Sequence, residues 1–315
     1  MTRVAVTSRA FSRHPVLREE LLQRYSAVTF NDAGRRLAGR ELIDFLHGHD
    51  KAIIGLERLN DRVFAQLPEL RVISKYGVGL DMIDLEAMVR HGVKLGWTGG
   101  TNKRAVSELV ISCAIAVLRK VPRANQDLRT GTWYQHQGRL ISGKCVGIIG
   151  CGHIGKDLAV LLKAFGCRVL ANDILDFAEF YARHGVEATD LESLLRQSDV
   201  VTLHVPLDGS TRNILSAERL ALMKPDAVLI NAARGGLVDE VCLKEMLKSG
   251  RLAGAALDVF AVEPPEDPEL LNLPNVLATP HIGGSAEEAI LTVGRAAIEG
   301  LDNAVVPGPD LVAQR

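Results

Sequence analysis

Apolar and polar positions along this chain switch between a period near two and a period near 3.6, and the switching predicts its elements. Short β-branched or fully apolar runs at 4–7, 28–30, 51–55 and 71–74 read as strands. Between them, Leu17, Leu21 and Leu22 fall at helical spacing within 15–25, and 39–47 and 61–67 also read as helices. The segment 84–91 is a short helix closed by Gly92. Strands that alternate with helices predict a parallel sheet covered on both faces.

A longer helix is expected from 102 to 121, apolar almost all round and ended by Pro122. A polar connector at 129–143 follows, carrying Trp133 and Tyr134. From Lys144 a second series begins, with strands at 145–149, 168–172, 200–205, 227–231, 253–259 and 276–278. Helices at 154–164, 191–197 and 240–249 separate them, and a last helix at 286–302 is long enough to pack back on the first domain. The expectation is an α/β protein of two doubly wound parallel-sheet domains. Residues 1–100 with 286–315 form one, and 101–285 is inserted as the other.

Composition narrows the function classes. The 315 residues are 47% hydrophobic and 24% charged, as in a globular protein. A net charge of -1 and a pI near 6.8 provide no electrostatic surface for nucleic acid or an anionic membrane. Five scattered cysteines without a CxxC pair argue against a disulfide framework and against a structural metal site. The first residues read as a strand rather than a signal peptide, and no run approaches about 18 continuous apolar residues. A cytoplasmic protein is expected.

The first piece of chemistry is a glycine-rich turn. Val146-Gly147-Ile148-Ile149 leads into Gly150-Cys151-Gly152-His153-Ile154-Gly155, and an apolar helix follows. A lone GxGxxG recurs by chance, but between a strand and a helix it fits the dinucleotide-binding mechanism. Gly150 permits the turn, Gly152 admits a pyrophosphate and Gly155 lets helix meet strand, while the helix N-terminus offers N–H groups to phosphate. Asp173, at the end of the second strand, can accept bonds from ribose hydroxyls and repels a 2′-phosphate, so NAD is expected over NADP. Cys151 reads as a small apolar spacer.

The second piece lies between 231 and 284. Arg234 sits in Ala232-Ala233-Arg234-Gly235-Gly236, Glu263 precedes Pro264-Pro265, and His281 sits in Pro280-His281-Ile282-Gly283-Gly284. Oxidising an alcohol beside a carboxylate needs a hydride acceptor, a base for the hydroxyl proton and an anchor for the carboxylate. His281 suits the base, Glu263 can bond its far ring nitrogen, and Arg234 can grip carboxylate and keto oxygen. Asp258, at a strand end, is expected near the nicotinamide. Taken singly, each has an ordinary structural reading; their succession behind a dinucleotide turn favours the catalytic one.

These motifs also carry a resemblance. From Tyr76-Gly77-Val78-Gly79-Leu80-Asp81 and Val106-Ser107-Glu108-Leu109, it runs through the glycine turn, His204-Val205-Pro206-Leu207 and Asn231–Gly236. It continues with Ala256-Leu257-Asp258-Val259-Phe260, Leu273-Pro274-Asn275-Val276 and Thr279 to Gly284. Across 72–287 the chain resembles the D-isomer-specific 2-hydroxyacid dehydrogenases, in particular the phosphoglycerate dehydrogenase branch. The resemblance implies a Rossmann NAD domain inserted into a flavodoxin-like substrate domain, a 2-hydroxy or 2-keto acid substrate and a homodimer. It makes Arg234, Glu263 and His281 catalytic, and Val78 and Gly79 substrate-binding together with Arg234 and His281. Around NAD it places Gly150, Gly152, His153, Ile154, Gly155 and Asp173. His204, Val205, Pro206, Ala232, Ala233, Arg234, Asp258, His281 and Gly283 complete that set.

Two departures stand out. Phosphoglycerate dehydrogenases usually carry an Arg-Ser-x-Thr-like segment after the third strand, whereas this chain reads Leu56-Glu57-Arg58-Leu59-Asn60. An acidic Glu57 there opposes a substrate phosphate, unless Arg58 takes the place of the missing arginine. Ending at Arg315, the chain is also expected to lack the regulatory domain of many such enzymes. Alternatives are a glyoxylate or hydroxypyruvate reductase, a formate or phosphite dehydrogenase relative, and an NAD-sensing interaction protein. Glu263 argues against the formate branch, which has glutamine at that place.

Overall fold

The computed structural model describes residues 1–308. The chain divides into two units, Met1–Asn102 with Ala286–Arg315, and Lys103–Ser285. The first unit begins β1 (Arg3–Val6), α1 (Arg9–Arg13), α2 (Pro15–Arg24), β2 (Ala27–Phe30) and α3 (Gly39–Leu46). It continues β3 (Lys51–Ile54), α4 (Asp61–Phe64), β4 (Val72–Lys75), α5 (Leu85–Arg90) and β5 (Lys94–Gly96). All its strand pairs are parallel, in the order β2-β1-β3-β4-β5, one of the doubly wound arrangements.

The second unit opens with α6 (Lys103–Leu118) and α7 (Val121–Arg129), then β6 (Cys145–Ile149), α8 (His153–Ala164), β7 (Arg168–Asn172), α9 (Ala178–His184) and β8 (Val186–Ala188). Beyond these lie α10 (Leu191–Gln197), β9 (Val200–Leu203), α11 (Ala217–Leu220) and β10 (Val228–Asn231). The unit closes with α12 (Glu240–Lys248), β11 (Gly254–Leu257), α13 (Pro268–Leu271) and β12 (Val276–Ala278). Its seven parallel strands run β12-β11-β10-β9-β6-β7-β8. The chain therefore reverses direction across the sheet between β6 and β9, which is where doubly wound sheets bind ligands. Finally α14 (Glu287–Gly300) returns to the first unit.

Strands without polar alternation are explained by this layering. Val4, Ala5 and Val6, like Val200, Val201 and Leu203, are buried on both faces, as helices on either side require. The second unit has one apolar cluster on each face of its sheet, one built around Leu203, Leu229 and Leu257 and the other around Val110, Leu158 and Val169. In the first unit α14 is fastened to the sheet through backbone carbonyls. Ser74 Oγ donates to Ala297 at 2.6 Å and Lys51 Nζ donates to Leu301 at 2.7 Å.

Several local expectations needed correction. Pro122 does not end the long helix: α6 stops at Leu118, Lys120 takes φ 56, and Pro122 lies in the first turn of α7. A proline is free of conflict there because that N–H has no intrahelical partner. The strand expected at 200–205 ends at Leu203, and the one expected at 253–259 ends at Leu257, since each feeds a loop on the carboxyl side of the sheet. The short elements α1, α9, β5, β8, α11 and α13 carry too few residues for a periodic pattern, although Gly185 at φ 62 is the C-terminal signal of α9.

Candidate active site

The glycine-rich turn lies between β6 and α8 at the reversal point. Gly150 takes φ 93, and a Cβ on it would meet His204 O at 2.6 Å. A Cβ on Gly155 would lie 2.2 Å from Gly150 O, so helix and turn approach to a distance only glycine allows. Gly152 is the N-cap of α8, and His153 and Ile154 occupy its first turn, where the partial positive charge of a helix N-terminus favours a phosphate. Cys151 beneath the turn is fully buried, and burial pushes its thiol up to about 11, so it packs rather than reacts.

Asp173 follows β7 and closes on that turn. Its Oδ2 accepts from Cys151 N–H at 2.5 Å and its Oδ1 from Leu175 N–H at 2.9 Å. A carboxylate has about four acceptor positions, so two remain to meet ribose hydroxyls. Across the reversal point, His204 N–H donates to Ile149 O at 2.7 Å and brings Val205 and Pro206 to the turn's other side. His204 Nε2 pairs with Thr202 Oγ1 at 3.0 Å, whereas Nδ1 is shut off from solvent and has no partner among the described residues. Burial pushes the ring's pKa down to about 3. The cradle of close glycines, a helix N-terminus and an acidic strand end fits a dinucleotide.

The remaining candidates of this unit gather where β10, β11 and β12 end. Asn231 builds the arginine turn: its Oδ1 accepts from Ala233 N–H at 3.1 Å and its Nδ2 donates to Arg234 O at 2.9 Å. Ala232 lies within that turn, and the Arg234 guanidinium donates to Ala233 O at 2.7 Å. Glu263 Oε2 meets His281 Nδ1 at 3.0 Å, with both side chains partly exposed. That bond leaves Nε2, the other ring nitrogen, for a reacting group.

Asp258, 3% exposed, grips the histidine loop from below. Oδ1 accepts from Thr279 Oγ1 at 2.6 Å and Ile282 N–H at 2.8 Å, and Oδ2 accepts from Gly283 N–H at 2.8 Å. The Asp258 carbonyl also accepts His281 N–H at 2.8 Å, and His281 holds φ 54. A histidine in left-handed backbone is strained and needs such surroundings. Sequence reasoning placed Asp258 by the nicotinamide and missed this bracing, along with Thr279 and Asn231. No local pattern signals bonds that span 21 to 25 residues.

Val78 and Gly79 lie in the first unit, in the half-buried turn after β4, where Val78 O accepts from Trp97 Nε1 at 2.9 Å. Glu57 is folded back onto its own strand end, its Oε2 accepting Gly55 N–H at 2.7 Å, while Arg58 is exposed. Among the described residues no group of three or more acidic, histidine or cysteine side chains could hold a metal. No helix there is long and apolar enough to cross a membrane.

With this geometry in hand, comparison with known proteins is specific. A family model described as the NAD binding domain of D-isomer specific 2-hydroxyacid dehydrogenases matches residues 111–283. The D-3-phosphoglycerate dehydrogenase of Methanocaldococcus jannaschii is 37% identical over 283 residues, 88% of this chain and 54% of that protein. The hydroxypyruvate reductase of Thermotoga maritima is 41% identical over 235 residues, covering 73% and 76%. A solved glyoxylate reductase from Paecilomyes thermophila has a TM-score of 0.87 at 25% identity, over 98% of this chain and 99% of that one. The chain belongs to the D-isomer specific 2-hydroxyacid dehydrogenase family, and its second unit contains that family's NAD-binding domain. It spans about half the length of the phosphoglycerate dehydrogenases it matches.

Proposed function

We propose that this protein is an NAD-dependent oxidoreductase that interconverts a D-2-hydroxy acid and its 2-keto acid. The observation that carries the reading is the Glu263–His281 hydrogen bond of 3.0 Å, set in the same unit as the dinucleotide cradle. When bound, NAD supplies the hydride acceptor or donor. His281 Nε2 takes the hydroxyl proton in oxidation and returns it in reduction. Glu263 holds Nδ1 and so fixes the ring's orientation and leaves Nε2 for the substrate. Arg234 binds the substrate carboxylate and polarises the keto oxygen. Asp258 uses three acceptor positions on the histidine loop, which leaves one for the carboxamide side of the cofactor. Val78 and Gly79 contribute backbone to substrate binding.

Of the family's substrates, a small non-phosphorylated keto acid is favoured. Glu57 places a carboxylate after β3 where phosphoglycerate dehydrogenases usually carry an arginine, and Gly55 N–H already holds it. The hydroxypyruvate and glyoxylate reductases among the relatives fit this better. Rates of NADH oxidation with hydroxypyruvate, glyoxylate, pyruvate and phosphohydroxypyruvate test both points. Turnover is expected with the first three and weakest with the phosphorylated acid. Binding of NADH without turnover of any 2-keto acid would leave an NAD-sensing interaction protein as the reading. A cytoplasmic location and a homodimer complete the proposal; the homodimer is supported by the exposed apolar side chains that α7 and the segment after it carry, Val121, Leu128, Trp133, Tyr134 and Leu140.

A further inference from the structure

Immediately after β11 the chain runs Asp258-Val259-Phe260-Ala261-Val262-Glu263, and carboxylates hold two consecutive amides of this loop. Phe260 N–H donates to Glu263 Oε1 at 3.3 Å, and Ala261 N–H donates to Glu240 Oε1 at 2.7 Å. Glu240 is the first residue of α12, yet it does not cap that helix. Asp239 does so, accepting Cys242 N–H at 2.9 Å. A glutamate in a first helical turn is ordinarily solvated and favoured by the helix N-terminus. Glu240 instead reaches across to another segment and is half-buried. Burial pushes its pKa up, against the pull of the Ala261 N–H, and the charges of Asp267 and Glu263 push the same way as burial. Lys244 on the same helix offsets Asp267 at 2.7 Å.

The same stretch of backbone supports the arginine turn. A Cβ on Gly235 would lie 1.7 Å from Phe260 O and 2.6 Å from Ala261 N, so the Arg234–Gly235 turn rests directly on the 260–261 peptide. Two residues further on, Glu263 holds His281 Nδ1. One short loop therefore touches the anchor on one side and carries the partner of the proton carrier on the other. The bond to Glu240 is its tie to the helix that follows the arginine turn.

We propose that Glu240 is a positioning residue: by clamping the Ala261 amide it sets where the loop carries Glu263, and through Glu263 how the His281 ring is held. The role rests on the dehydrogenase reading above. Without the clamp the loop gains freedom between Phe260 and Pro264, and misplacement of a catalytic group by about 1 Å can lower a rate by 10²-fold. The glycine turn before α8 and Asp173, which form the phosphate and ribose end of the cradle, lie on other loops, so most of the cofactor's binding does not depend on the clamp.

The test compares Glu240→Ala and Glu240→Gln with the parent chain, using a 2-keto acid that the parent reduces. Glu240→Ala is expected to lower kcat about tenfold or more, with KM and Kd for NADH unchanged. Glu240→Gln keeps an oxygen for the Ala261 N–H and is expected to recover most of kcat. The 15N signal of His281 Nδ1 reads the Glu263 bond without turnover and should move in Glu240→Ala but not in Glu240→Gln. Parental kcat in Glu240→Ala, failure of Gln to restore it, or NADH affinity falling in parallel with kcat would each overturn the role. A parent that reduces no 2-keto acid would instead refute the dehydrogenase reading, and the nitrogen signal would then decide the clamp alone.

Discussion

His204 shows how one residue can tie cofactor site and stability together. Its ring is held neutral, with a pKa near 3 against about 6.5 in an unfolded chain. Between those values the unfolded chain binds more protons, so stability is complete above pH 6.5 and falls as pH drops toward 3. From pH 7.5 to 5 that amounts to about 2 kcal/mol. Urea denaturation at both pH values should show this share in the parent and lose it in His204→Gln. An equal pH dependence in both proteins would mean that the ring gains solvent or a partner in solution. At this scale the sequence showed residue types at strand–loop junctions, which is why Arg234, Glu263 and His281 stood out. It could not show Glu240, because that carboxylate acts on an amide 21 residues away.

At the scale of elements, β6, β7, α10 and β12 have the bounds their patterns predict. Each is a compact apolar or amphipathic run with a turn signal at either end. The misreadings share one cause: tertiary context decides short or ambiguous segments. Pro122 was equally compatible with ending one helix or starting another, and Lys120 in left-handed backbone resolves it. The β6–turn–α8 unit carries the sharpest prediction at this scale. In Gly155→Ala the new Cβ would sit 2.2 Å from Gly150 O, so the helix must move away from the turn. A loss of about 1–3 kcal/mol of stability and weaker NADH binding are expected together by calorimetry. Unaltered NADH affinity would show that the close approach is not what shapes the cradle.

At the scale of the whole molecule, each sheet is parallel and covered by helices, and the chain returns to its first unit through α14. Alternating strand and helix patterns made the fold class legible, since a parallel strand needs a crossover helix. Assembly was less legible: α6, apolar almost all round and so expected to be buried between domains or subunits, buries Val106, Val110, Cys113 and Val117 within its own unit. Exposed apolar side chains do follow it, among them Trp133 at 80%. Static light scattering should give twice the 34.1 kDa chain mass, and Trp133→Glu should shift it toward a monomer. A monomeric parent would contradict the proposed dimer.

One unit holds both the dinucleotide cradle and His281, and the proposed reaction requires the two to act together on one 2-keto acid. The most direct measurement is transfer of deuterium from [4-2H]NADH, of the stereochemistry that the protein accepts, to a 2-keto acid, with the product resolved on a chiral column. With the parent protein, deuterium is expected at C2 of the D-hydroxy acid. Transfer lowered by about 10²–10⁴-fold is expected in His281→Ala with NADH still bound. Deuterium in the L-isomer, or His281→Ala transferring it as fast as the parent, would contradict the proposed reaction.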